Sequence, residues 1–303
     1  MELKALGKAE TSFASEHTAG IQEGSNGATS RRWVAARRLL NTSRAFGVDP
    51  IRLALAIADI PRFIHAVIQY KTQLGPTPAL PLTLGALRPC LGEHRETSGR
   101  VDRHYFFQDL WAARQIHRAR PVSHVDIGSR IDGFISHLLC FTPVTVIDIR
   151  PQPLKVAGLT FVQDDATELR TFSDASLQSV SSLHAVEHFG LGRYGDPVDP
   201  GAALRAMKSL QRVLGYDGRL YFAVPIGRER LEFNAHRIFA PVNILHAFSE
   251  LHLVSFSAVN DSGQFLTGID PESLSKSDYA CGLFEFTKSC PHSTAESSAD
   301  LAH

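Results

Sequence analysis

Hydrophobic and polar positions follow two rhythms along this 303-residue chain, with the change near residue 120. Up to that point apolar residues recur at helical spacing. Trp33, Val34, Leu39 and Leu40, followed by an apolar-rich run over 51–70, predict two or three helices. Asp49-Pro50 offers an N-cap and a proline at the first helical position, and Pro61 is expected to interrupt the second helix. In HYFFQDLWAARQIHRARP, residues 104–121, Phe107, Leu110, Trp111 and Ile116 share one face. This segment predicts a helix that ends at Pro121 and packs beside the first strand of the domain after it. Beyond Pro121, short apolar runs alternate with helical ones. Strands are expected over 122–127, 144–149, 159–163, 177–183, 219–224, 253–258 and 282–287, and helices over 131–141, 202–214 and 241–248. Asp217-Gly218 predicts a turn into the fifth strand.

That alternation predicts an α/β fold: a Rossmann-like, seven-stranded, mostly parallel sheet with helices on both faces, preceded by a helical N-terminal region. Residues 1–30 are rich in Ser, Thr, Gly and Ala and are expected to form a disordered tail. The helical region spans 31–120 and contains a Pro/Gly-rich linker at 74–91. The α/β domain covers 121–288, and 289–303 forms a loose tail.

Composition narrows the function. Hydrophobic residues make up 44% and charged residues 20% of the chain, enough for a sizeable core. The formal net charge is zero, so no overall field attracts nucleic acid and no nucleic-acid partner is expected. Fourteen histidines are scattered without a spacing such as HExxH, and no metal is expected. Cys90, Cys140, Cys281 and Cys290 contain no CxxC pair, which suits a reducing compartment. The N-terminus lacks the apolar core of a signal peptide, and no run approaches the roughly 20 uncharged apolar residues of a membrane helix. A cytoplasmic protein is the expectation. Arg31 to Arg44 carries five arginines and no acid, a solvated helix face that leaves peripheral membrane contact through 31–70 open.

The chemistry centres on HVDIGSRIDGF, residues 124–134. An apolar strand stops at a glycine, and a helical pattern follows a second glycine, the start of a nucleotide-binding βαβ unit. Gly128, Arg130 and Gly133 occupy the offsets of GxGxxG with arginine in the middle, which hinders approach of a pyrophosphate. Asp126 beside the turn would also oppose a pyrophosphate. It suits a cationic ligand, either directly or by bonding the turn's own N–H groups. Asp148 ends the second strand where an acidic side chain accepts ribose hydroxyls.

HVDIGSRIDG, VTVIDIR, FVQDDATEL, SVSSLHAVEHF and LQRVLGYDGRLYFAVP resemble, in order, five motifs of the class I S-adenosylmethionine-dependent methyltransferases over about 122–226. DIGSRIDGF, SSLHAVEHFGLGRYGDPVDP and FNAHRIF resemble more closely family 268 of the domains of unknown function, a methyltransferase-like group, over most of 120–265. The resemblance implies S-adenosyl-L-methionine as cofactor. It would be held by the first loop (Asp126, Gly128, Ser129, Arg130 and Gly133), by Asp148 at the ribose, and by Asp165 with the N–H of Ala166 at the adenine. His184 would sit near it, and His104 and Gln108 could reach its edge. Asp164 and Asp165 are adjacent on a strand, so only Asp165 is expected to enter the pocket.

Catalytic candidates lie just past strand ends, where open α/β sheets bind ligands. His188 with Glu187 follows the fourth strand, Tyr194 lies in the next loop, and His236 follows the fifth strand. His188 can serve as a base near neutral pH or simply bond locally. Arg193 and Asp196, in the glycine- and proline-rich loop 190–200, and Asn234 and Arg237, in FNAHR, are candidate acceptor contacts. The loop could equally be a rigid turn capping the next helix. The first functional expectation is methyl transfer to a small-molecule or saccharide acceptor, the saccharide coming only from the family resemblance. Its rivals are a non-catalytic scaffold on the same fold and an NAD-dependent oxidoreductase or epimerase. The last lacks an intact GxGxxG and a YxxxK pair.

Overall fold

The computed structural model describes residues 42–74, 80, 82–99 and 101–290. The expectations for the 1–30 tail, for Trp33 to Leu40, for the tail beyond 290 and for part of the 74–91 linker lie outside the described residues. The chain divides into two compact units, up to Val101 and from Asp102 onward.

In the first unit, helix α1 runs Pro50–Gln73 without a break. Asp49 caps it, its carboxylate accepting from the N–H groups of Ile51 and Arg52 at 3.1 and 3.2 Å. Pro61 lies inside the helix and does not interrupt it. It removes a single backbone donor, and each flanking half is long enough to keep its own ladder. Asp59 turns inward, accepts from the Gly92 N–H at 2.6 Å and pairs with His94 and Arg95, so the turn Glu93–Arg95 folds back against this helix.

The second unit opens with helix α2, Arg103–Ala119, capped by Asp102. This helix belongs to the α/β unit, so the boundary falls at Asp102 and not near 121. Its apolar face has the sheet as partner: Trp111, Ala112 and Ile116 share one buried cluster with Phe134, Leu138, Val146 and Tyr221.

The strands are β1 (His124–Ile127), β2 (Val144–Asp148), β3 (Leu159–Gln163), β4 (Leu177–Leu183) and β5 (Leu214–Ile226), then β6 (Arg230–Glu232), β7 (His236–Ile238), β8 (His252–Val259), β9 (Phe265–Thr267) and β10 (Ala280–Thr287). Helices α3 (Ala202–Val213) and α4 (Pro241–Ala247) complete the unit. The main sheet has order β3-β2-β1-β4-β5-β10-β8-β9, and β6 and β7 form a separate hairpin. Pairings from β3 through β5 are parallel; β10 runs antiparallel to β5 and β8. Eight strands replace the expected seven because β9, only three residues long, adds to the edge of β8.

Two local expectations change. Over 131–141 the chain forms a π-helical turn, Ile131–Ile135, and then a single α-turn, Ser136–Leu138. The stretch around Asp217-Gly218 lies within one long strand and bulges there: Asp217 has φ +59°, and the register against β4 jumps from Leu177 opposite Leu214 to Ser179 opposite Arg219.

Winding reverses between β1 and β4, which makes their C-terminal ends a topological switch point, the usual ligand crevice of an open α/β sheet. One sheet face buries Val125, Ile127, Leu220 and Phe222 beneath α3 and α4. The α2 face carries a polar seam within its core. His124 lies between Ser179 Oγ at 2.7 Å and Ser181 Oγ at 2.8 Å, and burial pushes its pKa down to about 3, so the ring is neutral. Among the described residues no helix is long and apolar enough to cross a membrane.

Candidate functional site

A cavity of about 250 Å³ opens at that switch point, walled by the segments that follow β1, β2, β3 and β4. Gly128 sets the first turn. Its φ is +72°, its N–H donates to the Ile147 carbonyl at 2.9 Å, and a Cβ there would stand 3.0 Å from the Ala185 Cβ. Ser129 and Arg130 also line the cavity, but Asp126 does not. The Asp126 carboxylate is fully buried behind the turn, accepting from the Ser129 N–H at 3.0 Å, from Ser129 Oγ at 2.8 Å and from Ser181 Oγ. Burial lifts its pKa to about 6. It holds the loop and does not face a ligand. Gly133 is also displaced from the cleft: a Cβ there would collide with Asp109 Oδ2, so this glycine serves the contact with α2. Arg130 pairs with Asp132 and lies over the Tyr105 ring at 5.5 Å.

Asp148 stands at the tip of β2 and lines the cleft. Both its oxygens are engaged by Arg150, through the backbone N–H at 2.8 Å, Nε at 3.0 Å and one terminal nitrogen at 2.6 Å. Arg150 in turn lies 4.5 Å over the Tyr194 ring. Beyond β3, Asp164 and Asp165 both line the cleft, together with Ala166. Strand alternation no longer applies to them, because β3 ends at Gln163 and both residues lie in the turn beyond it, at the cleft wall. Asp165 accepts from the Thr167 N–H at 2.8 Å and Asp164 from the Thr171 N–H at 3.1 Å.

After β4 the chain brings two neutral imidazoles to the cleft wall, His184 and His188. His184 has φ +49°. Its Nδ1 lies 2.5 Å from Gln108 Oε1, and the Gln108 amide nitrogen donates to Asp109 at 3.1 Å. The oxygen of Gln108 can only accept, so Nδ1 carries the proton and Nε2 keeps its lone pair. That Nε2 is buried and has no hydrogen-bond partner. In His188, Nδ1 donates to the Ala235 carbonyl at 2.7 Å, which leaves the Nε2 lone pair 3.7 Å from Glu187 Oε1. Burial pushes His184 well below its ordinary value and His188 down to about 4. Glu187 is wholly buried behind His188 and outside the cleft lining. Neither of its oxygens has a hydrogen-bond partner, and burial raises its pKa to about 8.

Of the remaining candidates, Tyr194 and Asp196 line the cleft. Asp196 also staples its loop by accepting from the N–H groups of Gly190 at 2.7 Å and Tyr194 at 3.1 Å. Arg193 donates to the Ala235 carbonyl at 2.9 Å. The expected acceptor contacts of Arg237 are replaced by a structural role: it donates to the carbonyls of Phe189 at 2.6 Å and Glu187 at 3.3 Å, clamping the turn after β4 from β7. Asn234 is exposed at the tip of the β6–β7 hairpin, outside the cleft, and His236 stacks near Tyr279 at 5.0 Å with Glu232 3.4 Å from its Nε2. Sequence reading passed over Tyr105, Arg150 and Arg205 in the lining. Arg150, two residues past Asp148 in VTVIDIR, was within reach of the pattern; the other two arrive from other elements.

The cleft is acidic. Asp148, Asp164, Asp165, Asp196 and Asp199 line it, against Arg130, Arg150 and Arg205. Those three cations are already paired, with Asp132, Asp148 and Asp199. Such a balance favours a cationic ligand and disfavours a pyrophosphate. The apolar walls, including Ile127, Ile147 and Phe189, suit a flat ring. The residues present therefore fit an adenosyl sulfonium.

The sheet order defines a Rossmann-like α/β unit with a mostly parallel sheet. Within it, residues 157–277 match the model of the family described as "Caenorhabditis protein of unknown function, DUF268". No curated protein matches the chain. Solved structures with a similar chain course include the 1,6-didemethyltoxoflavin-N1-methyltransferase of Burkholderia thailandensis, bound to 1,6-didemethyltoxoflavin and S-adenosylhomocysteine. It shows 17% identity over 62% of this chain and 84% of its own, with a TM-score of 0.43. The N-methyltransferase NodS of Bradyrhizobium japonicum WM9, in complex with S-adenosylhomocysteine, shows 16% identity over 62% and 89%, with a TM-score of 0.43. The [4+2]-cyclase SpnF shows 14% identity over 61% and 81%, with a TM-score of 0.45. At these values the likeness is one of chain course and assigns neither ligand nor reaction.

Proposed function

We propose that the protein is an S-adenosylmethionine-dependent methyltransferase acting on a small-molecule or saccharide acceptor. The observation that carries this reading is the acid-rich cleft at the switch point, closed on one side by two uncharged imidazoles. When bound, the cofactor supplies an electrophilic methyl group on a sulfonium. Asp148 would accept its ribose hydroxyls in exchange for the present bonds to Arg150, and Asp165 with Ala166 would meet the adenine. The Gly128–Ser129 turn, fixed from behind by Asp126, would hold the remaining part.

Methyl transfer requires chiefly that the acceptor atom be held in line. Of the two imidazoles, His188 keeps an Nε2 lone pair that can accept a hydrogen bond from an acceptor hydroxyl or amine, whereas the Nε2 of His184 is buried. Their depressed pKa values matter here, because an imidazolium beside a sulfonium would add like-charge repulsion in a low-dielectric site. Tyr194, over which Arg150 lies, closes the same side of the cleft.

Calorimetry of the purified chain with S-adenosylmethionine, S-adenosylhomocysteine and NAD tests the reading, with Asp148→Ala as control. Micromolar binding of the two adenosyl-sulfur ligands, weakened at least tenfold in the folded variant, supports it. Binding of NAD alone would replace it with an oxidoreductase. No binding of any ligand to folded protein would favour a scaffold.

A further inference from the structure

Beside the cleft the fold assembles a second group of three side chains, two of which the methyl-transfer reading leaves unused. His104 stands in the first turn of α2, His184 just past β4, and Cys281 on β10. Their donor atoms, one from each residue, all lie within 4.8 Å of one another. We propose that His104, His184 and Cys281 form a binding site for a soft divalent metal ion of the zinc class.

Three independent features point to a ligand there. First, the donor set is two imidazoles and a thiol, which selects zinc-class ions over magnesium or calcium. Bonds of about 2.0–2.3 Å in a tetrahedron place donors roughly 3.3–3.8 Å apart, so about 1 Å of side-chain adjustment suffices. Second, His184 is prepared as a ligand. Gln108 accepts its Nδ1 proton and is itself held by Asp109, the outer-shell arrangement that fixes the tautomer of a metal-binding imidazole. The remaining Nε2 lone pair is buried with no donor to meet it, a desolvated acceptor that stays unpaired unless something binds.

Third, the group is rigidly framed. His104 stacks on Tyr279 at 5.3 Å and meets the His184 ring edge-on at 5.8 Å, while Cys281 Sγ lies 3.8 Å from His184 Nδ1. An ordinary core contact between a thiol and an imidazole would explain that last distance. It would not explain the idle Nε2. The thiol is fully buried; as a metal ligand it would bind as the thiolate, its proton passing to solvent. Three protein donors leave the fourth position of the tetrahedron unfilled by these side chains.

The test uses the untagged full chain, dialysed against a chelator and titrated with Zn²⁺ alone against a chromophoric competitor, and with Co²⁺ for its spectrum. One equivalent should bind, and the cobalt form should show a near-ultraviolet thiolate charge-transfer band. Cys281→Ala should abolish the band and weaken zinc at least a hundredfold. The less buried His104→Ala, which keeps the thiol, should weaken zinc at least tenfold while circular dichroism confirms the fold. Cys90→Ser and Cys140→Ser, at exposed thiols, should change nothing. Absence of the thiolate band in the wild-type chain, or zinc binding that survives both Cys281→Ala and His104→Ala, would overturn the site. S-adenosylhomocysteine binding, measured separately on the metal-free chain, distinguishes failure of the metal site from failure of the methyltransferase reading.

Discussion

Glu187 offers the sharpest quantitative test of the electrostatics behind the cleft. Its carboxyl is wholly buried, and neither oxygen has a hydrogen-bond partner. Burial lifts its pKa from the ordinary 4.5 to about 8. At roughly 1.4 kcal/mol per unit, that rise corresponds to about 5 kcal/mol of pH-dependent stability. Below pH 4.5 both folded and unfolded chains hold the proton, and the group contributes nothing. Between pH 4.5 and about 8 the folded protein keeps the proton that the unfolded chain has lost, so stability falls as pH rises; above that it levels off. Glutamine has the same shape and no proton to lose. Glu187→Gln should therefore gain on the wild-type progressively across this window, reaching about 5 kcal/mol at its upper end. Urea midpoints and slopes at a series of pH values, on chelator-dialysed protein, give the difference directly. The buried amide carries its own desolvation cost, but that offset does not vary with pH, so the slope decides. A difference that is flat with pH, or that shrinks as pH rises, would refute the buried neutral carboxyl.

Other expectations are more local. Gly190→Ala should be the most damaging single methyl in the cleft, because Gly190 has φ +74° and its new Cβ would fall on the Asp199 carbonyl oxygen. A loss above about 2 kcal/mol in urea unfolding is expected, and a near-neutral result would contradict the loop packing. Asp126→Asn places an amide among the Ser129 and Ser181 donors and should cost about 1–3 kcal/mol. S-adenosylhomocysteine affinity should fall with it, although the residue lies outside the cleft; unaltered affinity in calorimetry would mean the turn does not depend on this carboxylate. His188→Gln should leave that affinity within about threefold while lowering turnover about 10²-fold or more once an acceptor is found. Loss of cofactor binding in the folded variant would reassign His188 from the acceptor side to the cofactor side.

The order of elements was legible because hydrophobic periodicity reports which face of an element is buried. The runs at 159–163 and 177–183 match β3 and β4 residue for residue. Asp49 capped its helix as its position before Pro50 implied, and the glycine that ends β1 marked the mouth of the cleft. Strand ends were legible too, and Asp148, His184 and His188, which follow or end them, line the crevice. The sequence alone could not show where each polar atom finds its partner, since that depends on which strand lies alongside. Asp126 turned inward because β4 brings Ser181 beside β1, with Asp126 paired opposite it in register. Arg237 became a clamp because β7 folds back under the turn after β4. Tertiary structure alone also gathered His104, His184 and Cys281, which the chain separates by more than seventy residues at each step. Local periodicity reaches a few residues along one element, whereas a binding site is made by packing and long-range register.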